Sequence, residues 1–78
     1  MDIKKRIGLR IKELRTEKKL TQEELAWAAE IDRTYMNHVE NGRKNISVEI
    51  LEKIVKALST DFSTFFNPIK NNGNGKKV

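Results

Sequence analysis

The sequence has 78 residues, which is enough for one small domain with a marginal core. It contains no cysteine, so disulfides, thiol nucleophiles and thiolate metal sites are excluded, and a cytoplasmic protein is expected. Sixteen Lys and Arg against eleven Asp and Glu give a net charge of +5, a balance that favours polyanions such as nucleic acid or acidic lipid. No apolar run is long enough to span a bilayer, so a soluble protein is expected.

The first predicted helix runs from Ile3 to about Lys18. Ile7, Ile11 and Leu14 recur at helical spacing and form one apolar stripe, while lysines and arginines occupy much of the remaining surface. We interpret this basic face as solvated surface that attracts phosphate at long range. Membrane binding is the weaker alternative, because the stripe lacks anchoring aromatic residues.

The second predicted helix begins at Gln22, directly after a helix-start signal in "TQEE". Thr21 and Glu24 fit a capping box, in which each side chain accepts a hydrogen bond from the other residue's backbone amide. The inward-facing residues are predicted to be Leu25, Ala26 and Ala29.

The third predicted helix, Arg33–Glu40, follows after only a tight turn. Asp32 is its predicted N-cap, and Met36 and Val39 are its predicted buried residues. Gly42 can take the left-handed conformation that commonly ends a helix.

Two more helices complete the predicted fold. Ser47 is expected to cap the fourth helix, which buries Leu51, Ile54 and Leu58, and "DFSTFF" forms a short fifth helix stopped by Pro68. We find no internal repeat and no credible strand. The predicted fold class is all-α, a compact five-helix bundle spanning residues 1–69, followed by a disordered polar tail at residues 70–78.

Two short helices joined by a tight turn and packed on a third hold the second helix where it can enter a DNA major groove. The stretch from Ile3 to Phe66 resembles the lambda repressor-like, lambdoid repressor and Cro type of helix-turn-helix domain. The most specific segments are "LTQEELA", "VENG" and "LEKIVKAL", each at the family's spacing. Within that family, "DRTY", "GRKNIS" and "FF" are similar to the controller proteins of restriction–modification systems.

The resemblance implies roles for individual residues. The third helix would read base edges. The N-terminus of the second helix and the loop after the third helix would contact phosphates. Implied base contacts are Arg33, Thr34, Asn37 and His38, with Tyr35 as a groove or backbone contact. Implied phosphate contacts are Gln22, Arg43, Lys44 and Asn45. The resemblance also implies a structural pair, Arg15 and Glu40, that ties the first helix to the end of the third.

Simpler interpretations stay open at several of these positions. For Arg33, Thr34 and Asn37 the alternative is a solvated helix face, which we rank below DNA contact because the flanking motif is complete. Tyr35 is equally well explained as a partly buried aromatic, and His38 as a solvated ring. These alternatives concern single residues and leave the recognition helix in place.

Trp27 occupies a position that is commonly polar in the family. Packing of Trp27 against the first helix is favoured over an aromatic partner site. Glu23, Glu24 and Glu30 could touch RNA polymerase, although a capping role for Glu24 and solvated positions for the others are favoured.

The sequence therefore predicts a non-enzymatic, sequence-specific regulator of transcription, a repressor or autoregulator, that binds a palindromic double-stranded operator as a homodimer. Catalysis, a metal site and a cofactor have no support, because one His, no Cys and no Gly-rich phosphate loop are present. A phage-type repressor or an antitoxin-like regulator would show the same motifs, and a helical protein-interaction module without DNA binding is the alternative from another class. The apolar residues expected at the dimer interface are Ile50, Phe65, Phe66 and Ile69.

Overall fold

The computed structural model describes residues 2–67 and contains five α-helices in that range. In chain order these are α1 (Ile3–Glu17), α2 (Gln22–Ala29), α3 (Arg33–Glu40), α4 (Val48–Ala57) and α5 (Phe62–Phe66). Residues 2–67 contain no strand, so the predicted all-α, five-helix fold is confirmed. None of the helices in this range is long and apolar enough to cross a membrane. The predicted stop at Pro68 and the tail at residues 70–78 lie outside the described residues.

The helix starts follow from local capping, as predicted. Thr21 Oγ1 accepts from the Glu24 backbone N–H at 3.0 Å, and Glu24 Oε1 accepts from the Thr21 N–H at 2.8 Å, which completes the capping box. Asp32 and Ser47 cap α3 and α4, with side-chain oxygens 2.8 and 3.0 Å from backbone nitrogens of the first turn. These contacts satisfy backbone donors that have no partner within the helix. The chain therefore enters each of these helices at a fixed residue.

The helix ends are less regular. Lys19, Glu30 and Ser59 have φ angles of 59°, 61° and 57°, in the left-handed region that favours glycine. Gly42, with φ 73°, takes the predicted left-handed conformation after α3 at no steric cost. Glu30 is the C-cap of α2 and begins the turn of residues 30–32 that leads into α3.

One hydrophobic core joins all five helices. The predicted inward-facing residues of α2, α3 and α4 are all buried, together with Ile11 and Leu14 of α1.

Two predictions about aromatic residues are wrong. Phe65, expected at an exposed interface, is 1% exposed, because it fills the core where α5 closes the bundle.

Trp27, expected to pack on α1, is 83% exposed. The physical reason is helical geometry. Leu25, Ala26 and Ala29 already form the buried face with which α2 packs on α3 and α4. At 3.6 residues per turn, Trp27 lies about 150° around the helix from the centre of that face.

The backbones of α1 and α3 approach each other closely at Gly8, where α1 crosses the end of α3. A Cβ atom at Gly8 would lie 2.5 Å from the Glu40 carbonyl oxygen and 2.6 Å from that of Val39. Only a residue without a side chain fits between these two backbones. Gly8 therefore sets how closely α1 supports α3.

Candidate nucleic-acid interface

An ion pair ties α1 to the C-terminal end of α3. Arg15 Nε donates to Glu40 Oε2 at 2.7 Å, and Arg15 Nη2 donates to Glu40 Oε1 at 3.1 Å. Both side chains are mostly buried, with exposed fractions of 14% for Arg15 and 2% for Glu40. Arg15 Nη1 also donates to the Leu20 carbonyl oxygen at 2.7 Å. This bidentate, charge-assisted contact fixes the last turn of α3 relative to α1 and to the loop before α2.

Gln22 at the start of α2 is hydrogen-bonded to two residues of α3, Glu40 and Asn37. Gln22 Nε2 donates to Glu40 Oε1 at 3.0 Å, and Gln22 Oε1 accepts from Asn37 Nδ2 at 3.1 Å. Asn41 Nδ2 donates in turn to Asn37 Oδ1 at 3.2 Å. Gln22 thus braces α3 with both ends of its amide. We refer to Arg15, Glu40, Gln22, Asn37 and Asn41 as the bracing network.

A polar groove lies between the N-terminal parts of α2 and α3. It brings together four of the predicted site residues, Gln22, Arg33, Thr34 and Asn37, with Thr21 and Glu23. Arg33 and Thr34 are exposed, whereas Gln22 and Asn37 are half-buried. Arg33 Nη1 lies 3.8 Å from Glu23 Oε1, and both side chains are largely exposed. So long and exposed a pair restrains the guanidinium only weakly, which leaves Arg33 free to reach outward.

Tyr35 and His38 are less exposed than Arg33 and Thr34. Both are half-buried, and Tyr35 packs against the core. This burial agrees with the alternative of a partly buried aromatic for Tyr35. Neither residue is among those that line the polar groove.

Arg43, Lys44 and Asn45 are all exposed in the loop between α3 and α4. The start of this loop is fixed by backbone hydrogen bonds from Gly42 N–H to Val39 O at 3.0 Å and from Arg43 N–H to His38 O at 2.9 Å. The loop therefore leaves α3 in a defined direction. Arg43, Lys44 and Asn45 do not line the polar groove.

Each of the four residues predicted for a dimer interface has a different placement. Phe65 is in the core, Ile50 is half-buried against it, and Phe66 is 50% exposed at the end of α5. Ile69 lies outside the described residues. Phe66 is therefore the exposed member of the predicted set within residues 2–67.

Sequence reasoning missed three residues that shape these surfaces. Asn41 completes the bracing network, and Glu23 lines the polar groove beside Arg33. Arg10 binds carbonyl oxygens of α5. The Arg10 contacts and the groove position of Glu23 depend on how the helices pack, so the sequence carries no local signal for them. The Asn41 contact is local, because Asn37 lies four positions earlier.

The polar groove and the following loop offer hydrogen-bond donors and positive charge at the surface. A guanidinium, a hydroxyl and amides at the start of a helix match the donors and acceptors of base edges, and exposed basic side chains match phosphates. In residues 2–67, no group of three or more His, Cys, Asp or Glu side chains is arranged to hold a metal ion. The chemistry of this surface is recognition by hydrogen bonds and charge.

Comparison with known proteins gives relatives that match nearly the whole fold. A helix-turn-helix family model matches residues 11–65. The control protein C.MunI from Mycoplasma sp is 44% identical over 70 residues, which cover 88% of this chain and 95% of the relative.

Solved structures match over a similar extent. The restriction–modification controller protein C.AhdI from Aeromonas hydrophila is 39% identical, covers 80% of this chain and 94% of its own, and superposes with a TM-score of 0.77. C.Esp1396I bound to a 25 base pair operator site is 35% identical, covers 85% of this chain and 87% of its own, and superposes with a TM-score of 0.79. This chain therefore belongs to the helix-turn-helix family and is similar to the controller proteins of restriction–modification systems.

Proposed function

We propose that this protein is a sequence-specific, double-stranded DNA-binding regulator of transcription, a repressor or autoregulator of the restriction–modification controller type. It binds a roughly palindromic operator as a homodimer in the cytoplasm and has no catalytic activity. The observation that carries the proposal is the polar groove, in which exposed Arg33 and Thr34 stand beside Asn37 on a helix held by the bracing network. The operator-bound relative C.Esp1396I supports DNA as the partner.

In this proposal α3 reads base edges and the loop after it fixes the position on the backbone. Arg33 suits guanine O6 and N7, because its guanidinium can donate two parallel hydrogen bonds. Lys44 and Arg43 supply positive charge to phosphates, together with Asn45. Gln22 retains one amide hydrogen beyond its contact with Glu40 and can donate it to a phosphate at the start of α2.

Substitution of Arg33 and Lys44 tests this division. The target is a duplex enriched by the parent protein from a random pool, compared with its scrambled sequence. Arg33→Ala should weaken binding to the enriched duplex by about 1–3 kcal/mol and barely change binding to the scrambled one. Lys44→Ala should weaken both and lower the slope of log affinity against log salt by about one unit per lost contact.

Lys53→Ala is the matched control, because Lys53 is also exposed but lies on α4. It should leave the specificity ratio unchanged. Equal losses for Arg33→Ala on both duplexes would show that α3 does not read bases. A parent protein that binds no duplex at all would favour the alternative of a protein-interaction module.

The homodimer follows from the size of the recognition surface. One recognition helix reads only a few base pairs, whereas two helices spaced by about 34 Å read two half-sites of a palindrome. We place the interface at exposed Phe66 of α5 and include half-buried Ile50 of α4 in it. Phe66 shares one apolar groove with exposed Ile3 and Leu9, and contiguous exposed apolar surface is typical of an interaction site.

Sedimentation over a concentration series tests the dimer. Phe66→Ser should shift the parent's dimer towards monomer. Trp27→Ser, which removes another exposed aromatic, should leave self-association unchanged. A parent that is monomeric at high micromolar concentration, both free and on DNA, would overturn the homodimer.

RNA polymerase is a second protein partner to test, because Trp27 and Glu23 are both exposed on α2. Retention of the parent but not of Trp27→Ser by immobilised polymerase would support this contact. Among the DNA-binding alternatives, an adjacent methyltransferase and endonuclease gene pair would favour the controller over a phage-type repressor or an antitoxin-like regulator.

A further inference from the structure

Arg10 of α1 makes a set of contacts that the DNA-binding surface does not use. Its Nε donates to the Phe65 carbonyl oxygen at 2.6 Å, and its Nη2 donates to the Thr64 carbonyl oxygen at 2.8 Å. Its Nη1 forms an ion pair with Glu13 at 2.7 Å. The side chain is 12% exposed, so the guanidinium acts within the fold and offers little surface to a partner.

Helix α5 depends on such outside contacts. It has five residues, too few for a helix to be stable in water without packing. Its last carbonyl groups have few backbone partners, and Thr64 O accepts one hydrogen bond, from the Asn67 N–H at 3.2 Å. Arg10 binds two of them with charge-assisted hydrogen bonds, which are stronger than neutral ones. Together with burial of Phe65, these bonds fix the C-terminal end of α5 on α1.

The orientation of Phe66 follows from this attachment. Its ring packs edge-on against Phe65, with centroids 5.0 Å apart and planes at 83°. It also stacks parallel to Phe62 at 6.4 Å. Phe66 lines an apolar groove between α1 and α5, together with exposed Ile3 and Leu9. If α5 turned on α1, the ring of Phe66 and the shape of this groove would change together.

We propose that Arg10 is a positioning residue for self-association, which holds α5 so that Phe66 faces a second copy of the chain. The inference rests on the homodimer proposed above and adds a residue that acts on it through α5. Arg10 also lines the apolar groove, but its side chain is only 12% exposed. Arg10 contacts two residues of α5 that lie 54 and 55 positions later in the sequence. Its loss would therefore loosen α5, while the bracing network and the polar groove stay in place.

The test compares Arg10→Met, which keeps an unbranched apolar side chain and removes the donors, with Glu13→Gln, which leaves both carbonyl contacts available to Arg10. Sedimentation should show the dimer dissociation constant of Arg10→Met raised by about tenfold or more, as expected for lost hydrogen bonds to a charged group. Glu13→Gln should stay within about threefold of the parent on the same scale.

A second readout separates positioning from general destabilisation. In a tandem protein of two full chains joined by a flexible linker, association no longer depends on concentration. The tandem Arg10→Met protein should regain the operator affinity of the parent tandem, whereas a merely destabilised protein would not. Arg10→Lys, which can donate to one carbonyl at a time, should give an intermediate dissociation constant and provides the comparison if Arg10→Met does not fold.

The outcomes distinguish the two proposals. A parent that is monomeric throughout overturns the homodimer and the role of Arg10 with it. A dimeric parent whose folded Arg10→Met and Arg10→Lys variants associate as tightly as Glu13→Gln overturns the role of Arg10 alone. A tandem that fails to restore operator affinity also overturns it, because the defect would then lie outside association.

Discussion

Arg15 binds both carboxylate oxygens of Glu40, at 2.7 and 3.1 Å, across 25 positions of sequence and in a largely buried setting. Removal of one member of a buried pair leaves the other as an uncompensated charge. Glu40→Ala should therefore lower the free energy of unfolding by about 3–5 kcal/mol, because Arg15 loses its partner and Gln22 loses its acceptor. Urea unfolding followed by far-UV circular dichroism measures this.

The matched control is Glu52→Ala on the surface of α4. Glu52 pairs with Lys56 at 3.8 Å, and both side chains are at least half exposed. Its removal should cost less than about 1 kcal/mol. If the melting temperatures of Glu40→Ala and Glu52→Ala both lay within a degree or two of that of the parent, the bracing network would have no structural role.

Gly8→Ala should destabilise the protein by about 1–3 kcal/mol, the usual cost of overpacking. The new Cβ atom would meet backbone oxygens of Val39 and Glu40, and neither can move without shifting α3. Alanine is the better helix former by about 1 kcal/mol, so helix propensity alone predicts the opposite sign. A thermal melt of Gly8→Ala beside Lys12→Ala, an exposed α1 position, decides between these signs.

Glu30→Gly should stabilise the protein by roughly 0.5–1 kcal/mol. Glu30 has φ 61° as the C-cap of α2, a conformation that costs a residue with a side chain about 1–2 kcal/mol. Part of this gain is offset because glycine makes the unfolded chain more flexible. Glu30→Gln, which removes the charge and keeps the side chain, should give no such gain, and equal melting temperatures of the two variants would contradict the backbone explanation.

The stability of α5 should depend on acid pH through Asp61. The Thr64 backbone N–H, 2.7 Å from Asp61 Oδ1, and then the Thr64 side chain hold the pKa of Asp61 below its ordinary value. A lowered pKa in the folded state means that the contribution is complete above the ordinary carboxyl pKa and is lost as the pH falls through the folded value. Asp61→Asn should flatten the part of this acid dependence that comes from α5, measured by hydrogen exchange of α5 amides. An unchanged acid profile would assign the dependence to other carboxylates, such as Asp2, whose pKa is lowered chiefly by the Lys5 N–H.

The elements that sequence predicts well are those decided within one turn of chain. Thr21, Asp32 and Ser47 each cap the helix that their neighbouring residues begin, because a cap needs only donors two or three positions away. The same locality explains Gly42. The start of α3, and with it the position of Arg33 at the first turn, follows directly from these short-range contacts.

The failures concern side chains whose burial is decided by distant contacts. "FF" does not indicate which phenylalanine turns inward, since α5 is oriented by Phe65 packing and by Arg10, more than 50 positions away. A tryptophan in an amphipathic run favours burial, but α2 is already filled on one side by Leu25 and two alanines. Gly8 looks like a weak helix residue in sequence, and its purpose appears only where α3 crosses it.

The contact at Gly8 has a mechanical consequence. No side chain separates the two backbones at this crossing, so the contact is incompressible and a movement of α3 towards α1 would displace α1 with it. The hydrogen bond between Arg15 and Glu40 joins α1 and α3 at a second point, nearer the end of α1. A homodimer on an operator with imperfectly spaced half-sites would therefore have to adapt by bending of the DNA or by rotation between subunits, since α3 has no hinge of its own.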